Sequence, residues 1–295
     1  MRTDIAIAYH LGAPHTDNEQ LLWSLRKDAE LLVQNGVAAP RPREYRRRLS
    51  DAVEKDINGE FSMEDREQLL STLTNQQQVG RVYFSSSKFL GVQSWMFNNA
   101  AFYQNAGNRT KELRNLFPDN PCEFFLSIRN PATFVPEAYL GQNGKDYKGF
   151  IGDINIADIR WSTVIQRIQD ANPDCPITVW CNEDTPIIWA SVLREVAGLD
   201  ANASLRGDLD IIRSIISPDG TTRLEQYLDE RPALNEMQRR RVKAVFLEKF
   251  VVDDAVDVEI DLPGWTDETV AMMTETYEDD IGTISRTPGV NFISP

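Results

Sequence analysis

Four short apolar runs punctuate the chain, at residues 5–8 (IAIA), 81–84 (RVYF), 123–128 (EFFLSI) and 177–181 (ITVWC). Each is nearly continuous instead of alternating, the pattern of strands covered on both faces of a parallel sheet. Helical spacing separates the runs, as parallel crossovers require. Leu21, Leu22, Leu25, Leu32 and Val33 recur at a helical period until Asn35-Gly36 stops the helix. A second helical stretch starts near Pro136 to Leu140, and residues 159–168 form an amphipathic helix that ends around Asn172-Pro173. Residues 41–75 read as a helical insertion that carries Arg41, Arg43, Arg46, Arg47 and Arg48. From about residue 221 the chain reads helical, through 223–227 and 242–250, then an acidic loop around Asp253, Asp254 and Asp257, then a helix over 267–281. The alternation predicts an α/β protein of three layers, α/β/α, with a mainly parallel central sheet, in a single domain over 1–295.

Composition narrows what such a fold could do. The 295 residues are 41% hydrophobic and 26% charged, which suits a globular core without disulfide staples. The 31 basic against 45 acidic residues give a formal charge of −14, which argues against nucleic-acid or anionic-membrane partners. Cys122, Cys175 and Cys181 show no CxxC spacing and read as buried structural thiols. No apolar run suits a secretory signal or a membrane span, so the cytoplasm is the expected compartment. The six tryptophans (Trp23, Trp95, Trp161, Trp180, Trp189 and Trp265) read as core, and the oligomeric state is left open.

In open parallel sheets, ligands bind in the crevice beyond the carboxyl ends of the strands. Those ends place residues 10–19, 85–88, 129–131 and 182–184 along one edge, where a small molecule is the expected ligand. The first loop, HLGAPHTDNE, has the layout of a phosphate-binding loop but no lysine. Thr16 and Glu19 fit a capping box, and Asp17 and Glu19 would complement the positive helix end. His10 and His15 are the only histidines of the chain. At neutral pH either could be a general base, a ligand of a metal helped by Asp17 or Glu19, or a satisfied structural residue.

Taken in order, these segments resemble the bacterial sulfotransferase family of the P-loop superfamily. That family's first loop reads H-[IL]-G-x-x-K-T-G-T-[TS]-x-L-Q, and the stretch 10–21 here keeps His10, Leu11, Gly12, Thr16 and Leu21. Gly36-Val37, Pro40 and Tyr45-Arg46 are similar to its G-V-x-Y-P…Y-R stretch, and residues 82–87 (VYFSSS) to the strand ending S-S-E. Residues 126–131 (LSIRNP), running on to Ala138-Tyr139, resemble R-D-P-x-x-R-x-x-S-x-Y, and 179–184 (VWCNED) the strand ending Y-E-D. The resemblance implies transfer of a sulfuryl group from the phosphosulfate donor PAPS to a hydroxyl or amine. It implies that the first loop holds the 5′-phosphosulfate, with Gly12, Thr16, Asp17 and Asn18 lining it and Ser86 nearby. Arg129 would hold the 3′-phosphate.

At several matched positions the chain departs from the pattern. The family's lysine is His15, its glycine Asp17 and its hydroxyl residues Asn18 and Glu19. The serine eight residues after Arg129 is Glu137, the second arginine is Phe134, and the acid of S-S-E is Ser87, with Lys88 beside it. The late segment 285–289 (SRTPG) only echoes the family's basic-glycine loop. Three carboxylates where phosphate would sit imply weak or lost PAPS binding. Three functions follow: a non-catalytic or repurposed binding protein using the sheet-edge cleft or the Arg41–Arg48 cluster; an active PAPS-dependent sulfotransferase with His15 in the lysine position and His10 or Glu183 as acceptor base; or another transferase or metal-dependent activity using His10 and His15. No metal is expected.

Overall fold

A computed structural model describes residues 4–17, 19–75, 78–97, 100–142, 146–252 and 262–295. Asn18 and the acidic segment at 253–257 lie outside the described residues. All strand pairings in the central sheet are parallel, and its six strands run in the order β2-β3-β1-β4-β5-β6. In chain order, β1 (Ala6–His10) leads through α1 (Gln20–Arg26) and α2 (Ala29–Gln34) to β2 (Val37–Ala38). The expected insertion follows as α3 (Pro42–Ile57) and α4 (Met63–Leu73), before β3 (Arg81–Ser85). Then come α5 (Ala106–Asn115), β4 (Cys122–Ile128), α6 (Pro131–Leu140), α7 (Tyr147–Ile151), α8 (Trp161–Ala171) and β5 (Ile177–Cys181). After α9 (Thr185–Ala197) the chain forms α10 (Asp210–Ile215), α11 (Pro218–Asp229), α12 (Glu236–Phe250), α13 (Asp267–Ile284) and β6 (Val290–Ile293).

Near-continuous apolar strands make sense because both faces are covered. Val82, Phe84, Phe124 and Leu126 join one core with residues of α3, α5, α6 and α8. Tyr83, Phe125 and Trp180 point the other way, into a core built with α1 and α9. Helices α10, α11 and α12 close a third, smaller cluster around Ile212, Leu224 and Leu228.

Several sequence expectations need correction. The C-terminal part is mostly helical, as expected, but β6, which the pattern did not show, returns to the sheet and pairs with β5. The first helix is two short ones, with Asp28 at the break held to Arg206 by its backbone N–H and side chain. Trp161, Trp180 and Trp189 are core, whereas Trp23 and Trp95 are exposed. The three cysteines are free and buried. No helix among the described residues is long and apolar enough to cross a membrane.

Candidate functional site

The strand order sets where a ligand crevice can open. After β1 the chain runs to β2, beyond β3, whereas after β3 it crosses to β4 on the other side of β1. The two connections leave on opposite faces of the sheet, α1 on one and α5 on the other, and the gap between them lies beyond the carboxyl ends of β1 and β3, where His10 and Ser85 are register partners. A cavity of about 370 Å³ occupies this place, lined by His15, Asp17, Glu19, Arg46, Ser85 and Gln93 among others. The crevice is therefore where sequence reasoning put it. What the residues do inside it differs from a phosphate cradle.

An anion-binding loop needs backbone N–H groups left free for the ligand. In this loop several are already used. Leu11 N–H donates to the Phe125 carbonyl (2.8 Å) and Ala13 N–H to that of Ser127 (3.1 Å), so the β1–β4 ladder continues past its last strand residue. Pro14 has no N–H. The Asp17 carboxylate accepts from Glu19 N–H (3.3 Å) and Leu21 N–H (3.1 Å), and the Asp17 carbonyl accepts from Gln20 N–H (2.7 Å).

Asp17, then, serves the start of α1, and the expected Thr16–Glu19 capping box is absent. Thr16 Oγ1 donates backwards to the Ala13 carbonyl (2.7 Å). Glu19 takes a left-handed conformation (φ 69°) that aims its side chain away from the helix, to an ion pair with Arg46. Gly12, at φ +97°, brings the loop against the post-β3 segment; a Cβ there would meet Ser87 Cα at 3.0 Å. Its glycine thus serves a backbone-to-backbone approach. His15 is also left-handed (φ 56°), so two non-glycine residues of one short loop hold a costly conformation.

Arg46, which lines the crevice, and Arg129, which holds the His15 carbonyl behind it, are both neutralised by carboxylates of the chain itself. Arg129, buried at the end of β4, donates from Nη1 and Nη2 to the two oxygens of Glu137 (both 2.7 Å). Arg129 Nη1 also reaches the His15 carbonyl (2.6 Å), and its Nε reaches Thr133 Oγ1 (3.2 Å). The fork-to-fork geometry is that in which a guanidinium takes a phosphate or carboxylate most strongly. Arg46, on α3, pairs with Glu19 and donates from Nη2 to the Ser85 carbonyl (3.0 Å).

The histidines occupy separate environments. His10 is fully buried, its Nδ1 against Ser85 Oγ (2.9 Å), its ring stacked on Trp180, and its Nε2 without a hydrogen-bond partner. Burial lowers its pKa, so the ring is neutral and inaccessible to an acceptor. His15 Nε2 accepts from the Gln93 amide (2.7 Å), which also donates to the Ala138 carbonyl (2.7 Å). Its Nδ1 lies 3.7 Å from Glu137. Burial is the main cause lowering its pKa, opposed by Glu137 and aided by Arg129. Position 15 therefore carries no standing cation at neutral pH. Gly141, after α6, leaves the room that His15 and Gln93 occupy.

The remaining expected residues serve other purposes. Glu183 accepts from Asn130 N–H (2.8 Å) and from Tyr277 (3.0 Å), tying the start of α6 to α13. Ser86 is buried, and its hydroxyl accepts from Lys88 N–H (3.2 Å) to close a turn. Among the described residues, no group of three His, Cys, Asp or Glu side chains is placed to hold a metal ion.

Three site residues were not singled out from sequence. Tyr45 donates to the Ser85 carbonyl and accepts its N–H (2.9 Å), fixing the end of β3. Burial drives its pKa up to about 12. Arg46 was read as part of a basic cluster and, with Tyr45, as similar to the family's Y-R pair, without a role at the site; Arg41, Arg43, Arg47 and Arg48 are exposed and Arg46 alone of the cluster turns inward. The Tyr45-Arg46 pair was the available signal. Gln93 had none. Comparison with protein-family models finds no match for this chain, and comparison with curated proteins finds none either.

Proposed function

We propose that this chain is a sulfotransferase-like protein whose phosphosulfate site is closed from within, and that it acts as a binding protein instead of a catalyst. The observation that carries this reading is the two-point bridge from Arg129 to Glu137. The arginine that the resemblance assigns to the 3′-phosphate already holds an anion, supplied by the residue in the family's serine position. A phosphate entering beside Glu137 would meet a like charge, at a cost of about 4 kcal/mol at 4 Å and an effective dielectric near 20.

Two further observations support it. Leu11 and Ala13 spend their N–H groups on β4, and the Asp17 carboxylate takes those of Glu19 and Leu21 at the helix start, so fewer donors are left for a 5′-phosphosulfate, beside a carboxylate. His15, held neutral between Gln93 and Gly141, is a poor substitute for a lysine that stabilises a leaving phosphate. The free, buried thiols suit a reducing compartment such as the cytoplasm. Calorimetric titration with PAPS and with its desulfated product tests the reading. Heats no larger than dilution are expected for both. Saturable tight binding of either would overturn it.

A further inference from the structure

A second cavity is larger than the crevice. It measures about 670 Å³ and lies between α3, the segment after β3 and α5. Its size falls within the roughly 300–1,000 Å³ range of small-molecule sites. Arg46 and Ser87 belong to both spaces, so it adjoins the neutralised crevice.

Its lining has two characters. The floor is apolar, with Leu49, Val53, Phe89 and Leu113 buried beneath it. At the rim, Trp95 is 61% exposed and Ile57 64%, large apolar surfaces that the fold leaves uncovered. Uncovered apolar area gathered at one concave place marks a binding surface more often than chance scatter does. The charged residues bias the same cavity toward anions. Arg46, Arg47, Lys88 and Arg109 line it against only Glu54 and Glu112, in a chain whose formal charge is −14.

These cations are not equally engaged. Arg46 is held by Glu19, and Arg109 pairs with Glu112 (2.9 Å). Arg47 makes only a loose contact with Asp51 (3.7 Å), with its side chain 92% exposed. Lys88 is exposed and makes no ion pair among the described residues. A local excess of uncommitted positive charge beside an apolar floor suits a ligand with both features.

We propose that this cavity binds an amphipathic organic anion, an aromatic or aliphatic body carrying one carboxylate, sulfonate or sulfate. The body lies on Leu49, Val53, Phe89 and Trp95, and the head faces Lys88 and Arg47. The inference rests on the binding-protein reading for its meaning, since it names that protein's ligand class, but the cavity is made of different residues from the neutralised site.

Fluorescence titration of the full chain with 1-anilinonaphthalene-8-sulfonate is the test, run beside the calorimetry with desulfated PAPS. A single saturable site is expected, displaced by decanoate. Lys88→Glu should weaken binding about fivefold, the scale of one partly exposed charge contact, and Arg47→Glu similarly. Ser50→Trp, an exposed α3 position on the cavity wall, should abolish it by filling the space. N-phenyl-1-naphthylamine, which keeps the aromatic body and lacks the sulfonate, should bind at least about fivefold more weakly. Equal affinity for the neutral compound would overturn the proposal, as would unsaturable binding or affinities untouched by Lys88→Glu, Arg47→Glu and Ser50→Trp. Tight binding of the desulfated nucleotide would instead overturn the closed-site reading, so the two failures are distinguishable.

Discussion

Asp184 stands half-buried after β5, where burial, then the neighbouring Glu183 carboxylate, pushes its pKa up to about 6. A carboxyl whose folded pKa exceeds its unfolded value of about 3.9 binds more protons in the native state, so stability falls as pH rises from about 4 to about 6. Asp184→Asn should flatten that decline. At pH 7 it should gain on the order of 1 kcal/mol, discounted for partial exposure. Denaturant midpoints of both proteins at pH 4 and pH 7 check this; a constant offset between them would remove the titration argument. Asp17 is the other residue whose environment gives it a measurable role. Its carboxylate takes the N–H groups of Glu19 and Leu21, so Asp17→Ala should cost about 1 kcal/mol, the usual worth of a helix cap. Thr16 bonds only to the Ala13 carbonyl, and Thr16→Ala should cost less. If the Thr16 variant proved the weaker, the cap would be wrongly assigned.

Among the elements, the junction between α9 and the C-terminal helices gathers buried charge. Arg194 on α9 is buried, pairs with Glu236 at the start of α12, donates to the Ala203 carbonyl (3.1 Å) and lies 4.0 Å from Asp208. Lys243, also buried, reaches the Ile187 carbonyl (3.4 Å), and burial lowers its pKa to about 8. Burial pushes Asp208 up, whereas for Glu236 the opposing pull of Arg194 and Lys243 wins and its pKa falls. Removing one member of such a set strands charge in the interior. Arg194→Ala should lower stability by roughly 3 kcal/mol, read from urea unfolding. Hydrogen exchange should then report loosening first in α11 and α12, whose own apolar cluster is small. Uniform loosening across the sheet would show that the junction is not a separate weak point.

For the whole molecule, the proposed exclusion of an anion has two separable sources, charge pairing and backbone shape. The Glu19→Thr, Glu137→Ser double variant frees Arg46 and Arg129 and leaves the Asp17 cap in place. Each released arginine is expected to improve binding of desulfated PAPS about tenfold, for roughly a hundredfold together. Full recovery is not expected, because Leu11 and Ala13 N–H stay bonded to β4 and the −14 background still repels an anion. A folded double variant with unchanged affinity would show that the loop's backbone, not its carboxylates, excludes the nucleotide. Wild-type stability should also exceed that of Glu137→Ser, since Arg129 is buried and would lose its partner.

Much of this protein is dictated by local sequence. Continuous runs such as 123–128 contain apolar residues for both faces, so the parallel sheet and the position of its carboxyl edge follow from pattern alone. The identities at the edge were equally plain: His15 without a lysine's charge, and carboxylates at positions 17, 19 and 137. The edge strands β2 and β6 were not legible. Val37–Ala38 is too short to show a period, and Val290–Ile293 becomes a strand through its pairing with β5. Nor could spacing reveal which carboxylate each arginine would meet. Glu137 reaches Arg129 across eight residues of chain, and Glu19 reaches Arg46 across 27. Sequence determines what charge a side chain carries and how a segment prefers to fold. Which N–H groups are spent on a neighbouring strand, and which opposite charges come within hydrogen-bonding distance, depends on how separate segments pack. Electrostatic and hydrogen-bond energies fall off over a few ångströms, so only the tertiary structure decided that Arg46 and Arg129 are already paired with the chain's own carboxylates.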